Sequence, residues 1–293
     1  MHRFIRAERA NHAVATLCRV LEVSRAGFYA AERRAPCQRQ LEDDEVLAAI
    51  RAIHRDSRET YGAPRVHAML RRRGICVSRK RVARLMRRAR ISGLIKRRRG
   101  KTTIRVPGVA TAPDLVRREW NPTAANRLWV ADITFIRTWE GWLYLAAVLD
   151  CHSRRCVGWS LQDNLRAELV VDALQMAISR RRPGPGLVHH SDHGSQYVSL
   201  AMGEHLREAG IDVSMGSKGS ALDNAVIESF FSTLKRELVN RYSWPTKADA
   251  RVAVFEWIEV FYNRVRLHTT LGNSSPEEYE NLSQSRREVA SLS

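Results

Sequence analysis

Long apolar segments are missing from the sequence. No run of about 18 uncharged apolar residues occurs, so the sequence predicts no membrane-spanning helix. The first residues, Met1-His2-Arg3-Phe4, also lack the apolar stretch of a secretory signal peptide. The two absences together predict a protein of the cytoplasm that does not enter the membrane.

Cysteine is scarce and irregularly spaced. The five cysteines are residues 18, 37, 76, 151 and 156, and no Cys-x-x-Cys pair occurs. An odd number without paired spacing argues against a disulfide framework and against a ribbon-type zinc site. We therefore expect reduced, buried thiols.

Acidic residues are absent from a long stretch of the N-terminal half. Between Glu59 and Asp114 there are 17 basic residues and no acidic one. Residues 1–120 hold 30 Lys/Arg and 11 Asp/Glu, a net charge of +19, whereas residues 121–293 hold 19 and 20, a net charge of −1. Such a one-signed field attracts a polyanion, and nucleic acid is the expected partner. An arginine-rich surface that only confers solubility is the simpler alternative.

Two short segments in the basic half are predicted to form helix-turn-helix units. Residues 12–33 contain an apolar stripe at helical spacing, followed by a turn and by Ser24 as a helix N-cap. Residues 64–90 repeat this design, with Pro64 in the first turn, Gly74 as a stop and Ser78 as the next cap. The last helix carries basic residues on its outer faces, which we expect to contact DNA: Arg79, Lys80, Arg81, Arg84, Arg87 and Arg88.

The pattern changes to α/β after residue 120. Strands are predicted at 128–136, 142–150, 156–161, 187–190 and 211–214, with helices at 169–178, 200–208, 223–240 and 247–263. Three strands in a meander, followed by alternating helices and strands, is the order of a ribonuclease-H-like α/β domain. The predicted fold class is thus an α/β ribonuclease-H-like core preceded by small all-α helix-turn-helix units.

The domain boundaries follow from these changes of pattern. We predict a helix-turn-helix-like segment at 1–40 and a basic, DNA-binding helix-turn-helix-like domain at 41–105. Residues 106–120 are predicted to be a linker, because prolines and a glycine interrupt any periodicity there. The core is predicted at 121–280, including C-terminal helices, with a tail at 281–293.

The spacing between an Asp and a Glu does not by itself identify the carboxylates that could hold metal ions. An Asp followed by a Glu after 35 intervening residues occurs four times, at Asp132/Glu168, Asp172/Glu208, Asp192/Glu228 and Asp223/Glu259. Asp172, Glu208 and Glu259 lie on polar helix faces, for which a solvated surface is the simplest interpretation. Glu168 and Asp223 stand at helix starts, where a carboxylate is stabilised by the helix dipole or as a cap.

Asp132 and Asp192 have no such simple explanation. Asp132 interrupts the predicted strand Leu-Trp-Val-Ala-Asp-Ile-Thr-Phe-Ile, where a charge is costly unless it is paired or coordinates an ion. Asp192 follows a short apolar strand in a dense polar cluster, where α/β sheets place ligands. Glu228 shares a polar helix face with Asn224, Ser232 and Lys235. A surface helix has the same spacing, and without Asp132 and Asp192 it would be the preferred interpretation.

Several of these segments resemble the second-reading-frame transposases of the "insertion sequence three" family. The segments that carry the resemblance are Trp129-Val130-Ala131-Asp132-Ile133-Thr134, His190-Ser191-Asp192-His193-Gly194-Ser195-Gln196-Tyr197, Asp223-Asn224-Ala225-Val226-Ile227-Glu228-Ser229-Phe230-Phe231 with Lys235, and Tyr262-Asn263-Arg264-Val265-Arg266-Leu267-His268. Two early segments, Tyr61-Gly62-Ala63-Pro64-Arg65-Val66 and Val77-Ser78-Arg79-Lys80-Arg81-Val82, match the helix-turn-helix-like region of the family. The resemblance covers nearly the whole chain.

The resemblance implies a retroviral-integrase-like Asp-Asp-Glu core, with the three acids at Asp132, Asp192 and Glu228 and the basic residue of the family at Lys235. It implies a bacterial transposase that cleaves a 3′ end of its element and transfers the strand, using two Mg²⁺ ions or Mn²⁺ in their place. Its DNA partners are then the terminal inverted repeats and the target. The resemblance also implies a homo-oligomer on DNA and a frameshift fusion to an upstream-frame product.

Two other functions remain open from the sequence alone. A structure-specific nuclease on the same fold would cut DNA but never join it. A DNA-binding regulator with a vestigial core would bind DNA without Mg²⁺-dependent cutting. His190, His193 and Gln196 either contact DNA or support the loop that holds Asp192.

Overall fold

The computed structural model describes residues 1–94, 121–191, 197, 200–215 and 225–291 of the chain. The helices of the N-terminal half are α1 (His2–Glu8), α2 (Val14–Val20), α3 (Arg25–Arg33), α4 (Gln38–Asp56), α5 (Ala63–Arg72) and α6 (Arg79–Arg88). Both predicted caps are confirmed, because Ser24 accepts a hydrogen bond from the Gly27 amide and Ser78 accepts one from the Arg81 amide. Helix α4, which packs against α5 and α6, is not among the helices predicted from the sequence.

The second half folds around one mixed sheet. Its strands are β1 (Leu128–Thr138), β2 (Gly141–Asp150), β3 (Cys156–Gln162), β4 (Val188–Ser191) and β5 (Asp212–Met215). They lie in the order β3-β2-β1-β4-β5: the first three form an antiparallel meander, and β4 and β5 run parallel to β1. This topology confirms the predicted ribonuclease-H-like order.

Helices cover both faces of the sheet. The helices of this half are α7 (Ala167–Arg181), α8 (Leu200–Glu208), α9 (Ala225–Glu237), α10 (Lys247–Phe255) and α11 (Pro276–Ser291), and a π-helical segment, Glu256–Tyr262, follows α10. Helix α7 approaches β3 so closely that a Cβ at Gly158 would lie 2.1 Å from the Ala173 carbonyl oxygen, which requires glycine there. Helix α9 packs on the opposite face through Ile227, Phe230 and Leu234.

Helix α11 runs through residue 281, where the predicted core gives way to the predicted tail. The helix is held by Glu280, whose carboxylate accepts hydrogen bonds from Arg155 at 2.8 Å and from Arg181 at 2.8 Å. Neither arginine is near Glu280 in sequence, so the local pattern does not reveal this attachment.

The α4–α6 unit and the sheet domain share a single apolar core. Tyr61, just before α5, is buried, and its hydroxyl accepts a hydrogen bond from the Leu267 amide at 2.7 Å and donates one to the Val265 carbonyl at 3.3 Å. By contrast, α1–α3 have a small core of their own around Ile5, Leu17 and Phe28. The basic helix-turn-helix unit is therefore packed onto the sheet domain.

The expectation of buried thiols is correct for three cysteines and wrong for two. Cys18, Cys151 and Cys156 are buried, whereas Cys37, which precedes α4, and Cys76, in the turn before α6, are exposed. Both exposed cysteines stand at element ends, where the apolar periodicity that indicates burial is interrupted. No helix in the described part of the chain is both long enough and apolar enough to cross a bilayer.

Candidate active site

Asp132 lies on β1 one residue past the last described pairing of that strand with β4. Strand β4 pairs with β1 only from Leu128 to Ala131 in the described part of the chain, whereas β2 pairs with β1 along its whole length. The half-buried Asp132 therefore lies at the first position past the end of β4, and its carboxylate accepts a hydrogen bond from the Ile133 amide at 2.7 Å. The acid that interrupts this apolar strand is thus half-buried and not enclosed in the core.

Strand β4 ends beside Asp132. Ser191, its last residue, pairs with Ala131 on β1. Asp192 is the next residue of the chain, and it lies outside the described residues, as do His193 and Gln196. His190 lies in the sheet with its ring buried, and its Nδ1 is 2.9 Å from the Ser214 hydroxyl, which favours the supporting role for this residue over direct contact with DNA.

Glu228 is presented by the polar face of α9. The apolar face of the helix is buried against the sheet, and Glu228 on the other side is exposed. Asn224, which was predicted to share that polar face, lies outside the described residues. The packing of α9 therefore directs the carboxylate of Glu228 away from the core.

Asp132 and Glu228 line the same open cavity of about 600 Å³, together with Lys235 and Arg236. The structure thus brings together two of the three predicted acids and the predicted basic residue, from a strand and a helix distant in sequence. Within the described residues, no three His, Cys, Asp or Glu side chains form a group that could hold a metal ion. The third predicted ligand, Asp192, is outside those residues.

Lys235 lies over an aromatic ring at the rim of this cavity. Its ammonium nitrogen is 5.1 Å from the centroid of Phe135, a cation–π arrangement. Among the described residues it forms no ion pair, so the alternative of a lysine bound to Glu228 finds no support. The ammonium group is therefore available to a phosphate.

A second cavity, of about 720 Å³, lies on the other side of α9, between α5 and the C-terminal segment. Arg65, Arg154, Arg236, Arg266 and His268 line it, and Arg236 lines the first cavity as well. Burial and the neighbouring Arg266, Arg65 and Arg154 hold the pKa of His268 well below its usual value. Sequence reasoning missed this cationic cavity, because its residues come from four separate segments.

One buried ion pair holds the wall of that cavity. The Arg266 guanidinium donates to the two carboxylate oxygens of Glu237 at 2.9 and 2.8 Å, and both side chains are almost fully buried. Arg65, which faces the same space, forms no ion pair with any described residue. Its guanidinium lies over the Tyr61 ring instead, and burial together with the charge of Arg266 lowers its pKa.

The predicted DNA-contacting residues of α6 fall into two groups. Arg81 and Arg84 donate to Asp43 at 2.7 Å each, and Arg88 donates to Asp44 at 2.7 Å, so these three pair with α4. The hydrogen bonds from Arg84 and Arg81 lower the pKa of the Asp43 carboxyl. The remaining three, Arg79, Lys80 and Arg87, are exposed and form no ion pair within the described part of the chain.

Glu259, one of the acids attributed to a solvated helix face, has a different environment. Its carboxylate accepts hydrogen bonds from the Trp159 indole at 2.7 Å and from Arg180 at 2.7 Å. The solvated interpretation is wrong for this residue, which instead joins the π-helical segment to β3 and α7.

Three family models match the chain. An HTH-like domain matches residues 41–99, and two integrase core domain models match residues 122–221 and 209–276. The fold is also similar to that of the HTLV-2 integrase catalytic core domain solved in complex with magnesium, with a TM-score of 0.42 and 16% sequence identity over 54% of this chain and 98% of that one.

Proteins with similar sequences match this chain over most of its length. A transposase InsF for insertion sequence IS3A of Escherichia coli (strain K12) is 37% identical over 95% of this chain and 97% of its own length. A transposase for insertion sequence element IS904 of Lactococcus lactis is 38% identical over 84% and 98%. An uncharacterized 31 kDa protein of insertion element IS600 of Shigella sonnei is 40% identical over 89% and 96%. With its HTH-like domain and integrase core, this chain belongs to the IS3 family of transposases, enzymes that act on DNA in transposition.

Proposed function

We propose that Asp132, Asp192 and Glu228 are the catalytic acids of this transposase and that they hold two Mg²⁺ ions. The observation that carries the proposal is that Asp132 and Glu228, from β1 and α9, line one solvent-open cavity with Lys235. The end of β4 at the register position of Ala131, directly before Asp192 in the chain, supports the third acid.

The donor set fits this metal. Carboxylate oxygens are the ligands that Mg²⁺ prefers, and Mn²⁺ accepts the same ligands. When bound, a pair of such ions activates an attacking oxygen and stabilises the charge that develops on the leaving 3′ oxygen of an in-line displacement. The chain itself contributes the acids, their fixed positions on a strand and a helix, and the cations around them.

The cations around the acids position DNA in this proposal. Lys235 contacts a phosphate near the element end, because its ammonium group carries a positive charge with no acidic partner among the described residues. Arg236 and Arg65 line the cationic cavity on the other side of α9 and extend the positive surface toward the helix-turn-helix unit. On α6, Arg79, Lys80 and Arg87 contact the backbone of duplex DNA most directly.

The proposed reaction is cleavage at a 3′ end of the element followed by transfer of that strand. Its DNA partners are the terminal inverted repeats and the target, and the enzyme acts as a homo-oligomer on DNA. Fusion to an upstream-frame product and location in the bacterial cytoplasm stay predictions. Joining of strands separates this proposal from a structure-specific nuclease, and metal-dependent cutting separates it from a regulator with a vestigial core.

The test substitutes each of the three acids in turn and compares these variants with substitutions of two control acids that have the same spacing in the sequence. Asp132→Asn, Asp192→Asn and Glu228→Gln are each expected to abolish cutting and joining of element-end DNA, because loss of one carboxylate disrupts the metal pair. DNA binding is expected to persist, since the basic residues are untouched.

The matched controls are Asp172→Asn and Glu208→Gln, which also have 35 residues between them but lie on α7 and α8. These two variants should cut and join at the rate of the unsubstituted enzyme. Wild-type activity in any of the three test variants contradicts the assignment of that residue.

A further inference from the structure

Four large aromatic side chains are exposed together beside the candidate active site. Phe135, Trp139 and Trp142 stand on the β1–β2 hairpin, and Tyr242 follows α9; their exposed fractions are 54%, 77%, 46% and 54%. Single exposed apolar residues are ordinary, but a cluster of large ones on a protein surface usually marks a binding surface. We refer to these four residues as the aromatic patch.

Two rings of the patch and the backbone of its hairpin are held in place by their neighbours. Phe135 and Trp142 pack edge to face, with ring centroids 5.3 Å apart. The hairpin is fixed to the segment after α9 by a hydrogen bond of 3.0 Å from the Trp139 amide to the Trp244 carbonyl. All four aromatic residues line one open cavity of about 630 Å³. The patch is thus a preformed surface that needs little reordering to receive a flat ligand.

Cations stand beside three of the rings. The Lys235 ammonium is 5.1 Å from the centroid of Phe135, and the Arg137 guanidinium carbon is 6.0 Å from that of Trp142. The Arg241 guanidinium carbon is 5.7 Å from the centroid of Tyr242, but this arginine is also paired with Glu59 at 3.2 Å. No acidic residue is among the described residues that line this cavity. Aromatic faces alternating with positive charge suit a ligand with flat rings on an anionic backbone, which is the chemistry of single-stranded nucleic acid.

The aromatic patch is continuous with the candidate active site. Phe135, Lys235 and Asn240 line both its cavity and the cavity that contains Asp132 and Glu228. A DNA strand whose phosphate lies at the two acids therefore reaches the patch within the next nucleotides.

We propose that the aromatic patch is a stacking platform for unpaired nucleobases of the DNA strand next to the reacting phosphate. The inference rests on the proposed function, since it takes the Asp132–Glu228 cavity as the place of reaction. Bases leave a duplex only at a cost, and stacking on aromatic side chains offsets that cost without selecting a sequence. The platform thus favours a locally opened DNA end over an intact duplex.

The experiment measures DNA binding by the full chain in EDTA, where no cutting occurs. Three labelled DNAs are compared by fluorescence anisotropy: a flush duplex, the same duplex with a four-nucleotide single-stranded tail, and the same duplex with an abasic tail. The two tails carry the same phosphates, so the ratio of their affinities isolates stacking. We expect the unsubstituted chain to prefer the tail with bases by roughly 5- to 50-fold.

Substitutions then assign that preference to the patch. Trp142→Ala and Trp139→Ala are expected to reduce it severalfold each while flush-duplex binding stays unchanged, and Trp142→Phe is expected to retain most of it. The matched control is Phe255→Ala, an exposed aromatic on α10 that is 49% exposed and does not line the cavity of the patch. This control should keep the full preference.

Three results overturn the proposal: no preference for bases in the unsubstituted chain, an unchanged preference in both tryptophan variants, or an equal loss in Phe255→Ala. A patch that instead joins two protein chains would show as a change of sedimentation coefficient in Trp142→Ala without DNA, with the preference for bases intact. The assay needs no metal, so a failure of the catalytic assignment of Asp132 and Glu228 leaves its result readable.

Discussion

The helical N-terminal region and the integrase core use charge in opposite ways. The helical region has a large positive charge, yet half of the basic residues predicted on α6 are paired at the surface with acids of α4. The core is nearly neutral, yet Glu237 and Arg266 are buried together and the cationic cavity lies beside them. The number of basic residues on α6 therefore overstates how many are free to contact DNA, and the near-zero net charge of the core conceals a locally cationic cavity.

The largest expected difference between the two regions is in how their histidines make the stability of the protein depend on acidic pH. His189 in the core has a pKa lowered from 6.5 to about 4, first because it is buried and then because His190 is adjacent. As the pH falls, the unfolded chain takes up this proton before the folded chain does. The contribution of His189 to the free energy of unfolding is therefore fully present above about pH 6.5 and decreases toward pH 4, by about 1.4 kcal/mol per pH unit. His268 acts in the same direction, whereas Asp150, whose pKa is raised by burial, acts in the opposite one.

Substitution isolates the contribution of His189. In His189→Leu, the free energy of unfolding measured in urea between pH 7 and pH 4.5 should lose about one proton of slope relative to the unsubstituted chain. The control is His12→Gln, an exposed histidine of the helical region, which should keep the original slope. An unchanged slope in His189→Leu contradicts the lowered pKa.

The second contrast lies within α6, between paired and unpaired cations. We expect the triple variant Arg79→Gln, Lys80→Gln, Arg87→Gln to lose DNA affinity on the order of 100-fold and to lower the salt slope by roughly 2 to 3, because each phosphate contact contributes about 0.9. The matched triple variant Arg81→Gln, Arg84→Gln, Arg88→Gln removes the same charge from the same helix. It should lose thermal stability more than DNA affinity, and an equal loss of affinity in both would show that formal charge alone governs binding.

The third prediction concerns the link between the regions. Tyr61→Phe should lower the free energy of unfolding by about 1–3 kcal/mol, because the buried Leu267 amide loses its acceptor. The control Tyr29→Phe, on the partly exposed face of α3, should change stability by less than about 0.5 kcal/mol. Urea unfolding checks both, and equal effects would mean that the two regions are not joined through Tyr61.

The smallest expected effect is the loss of DNA affinity when a single basic residue of the core, Lys235, is substituted. Lys235→Ala should weaken binding to element-end DNA about tenfold and leave the Mg²⁺ dependence unchanged, since an ammonium group does not bind a metal ion. Lys235→Arg should retain much of the activity, because the positive charge is kept. A suitable control is Arg207→Ala, an exposed arginine on α8 that lines neither cavity around α9. Similar affinities for the Lys235→Ala and Arg207→Ala variants contradict the phosphate contact.

The sequence by itself determined the local features of this protein. Ser24 and Ser78 were recognisable as caps because a cap acts on an amide three residues away, and the strands were recognisable from their own apolar pattern. Asp132 stood out because a charge is unfavourable in the middle of a strand. Family motifs added Glu228 and Lys235, which periodicity alone would have left on an ordinary surface helix. The catalytic roles of Asp132, Asp192 and Glu228, the phosphate contact of Lys235, the domain boundaries and the individual DNA contacts stay predictions.

Only the tertiary structure decided which side chains meet. Arg81 and Arg84 donate hydrogen bonds to Asp43, which is about forty residues away in the chain. The Leu267 amide donates a hydrogen bond to Tyr61, and Phe135 packs against Trp142 across a hairpin. Arg236 lines two cavities at once because α9 lies between them. A charge or a ring acts on whatever lies within a few ångströms, and residues far apart in the chain come that close only when the helices pack on the sheet.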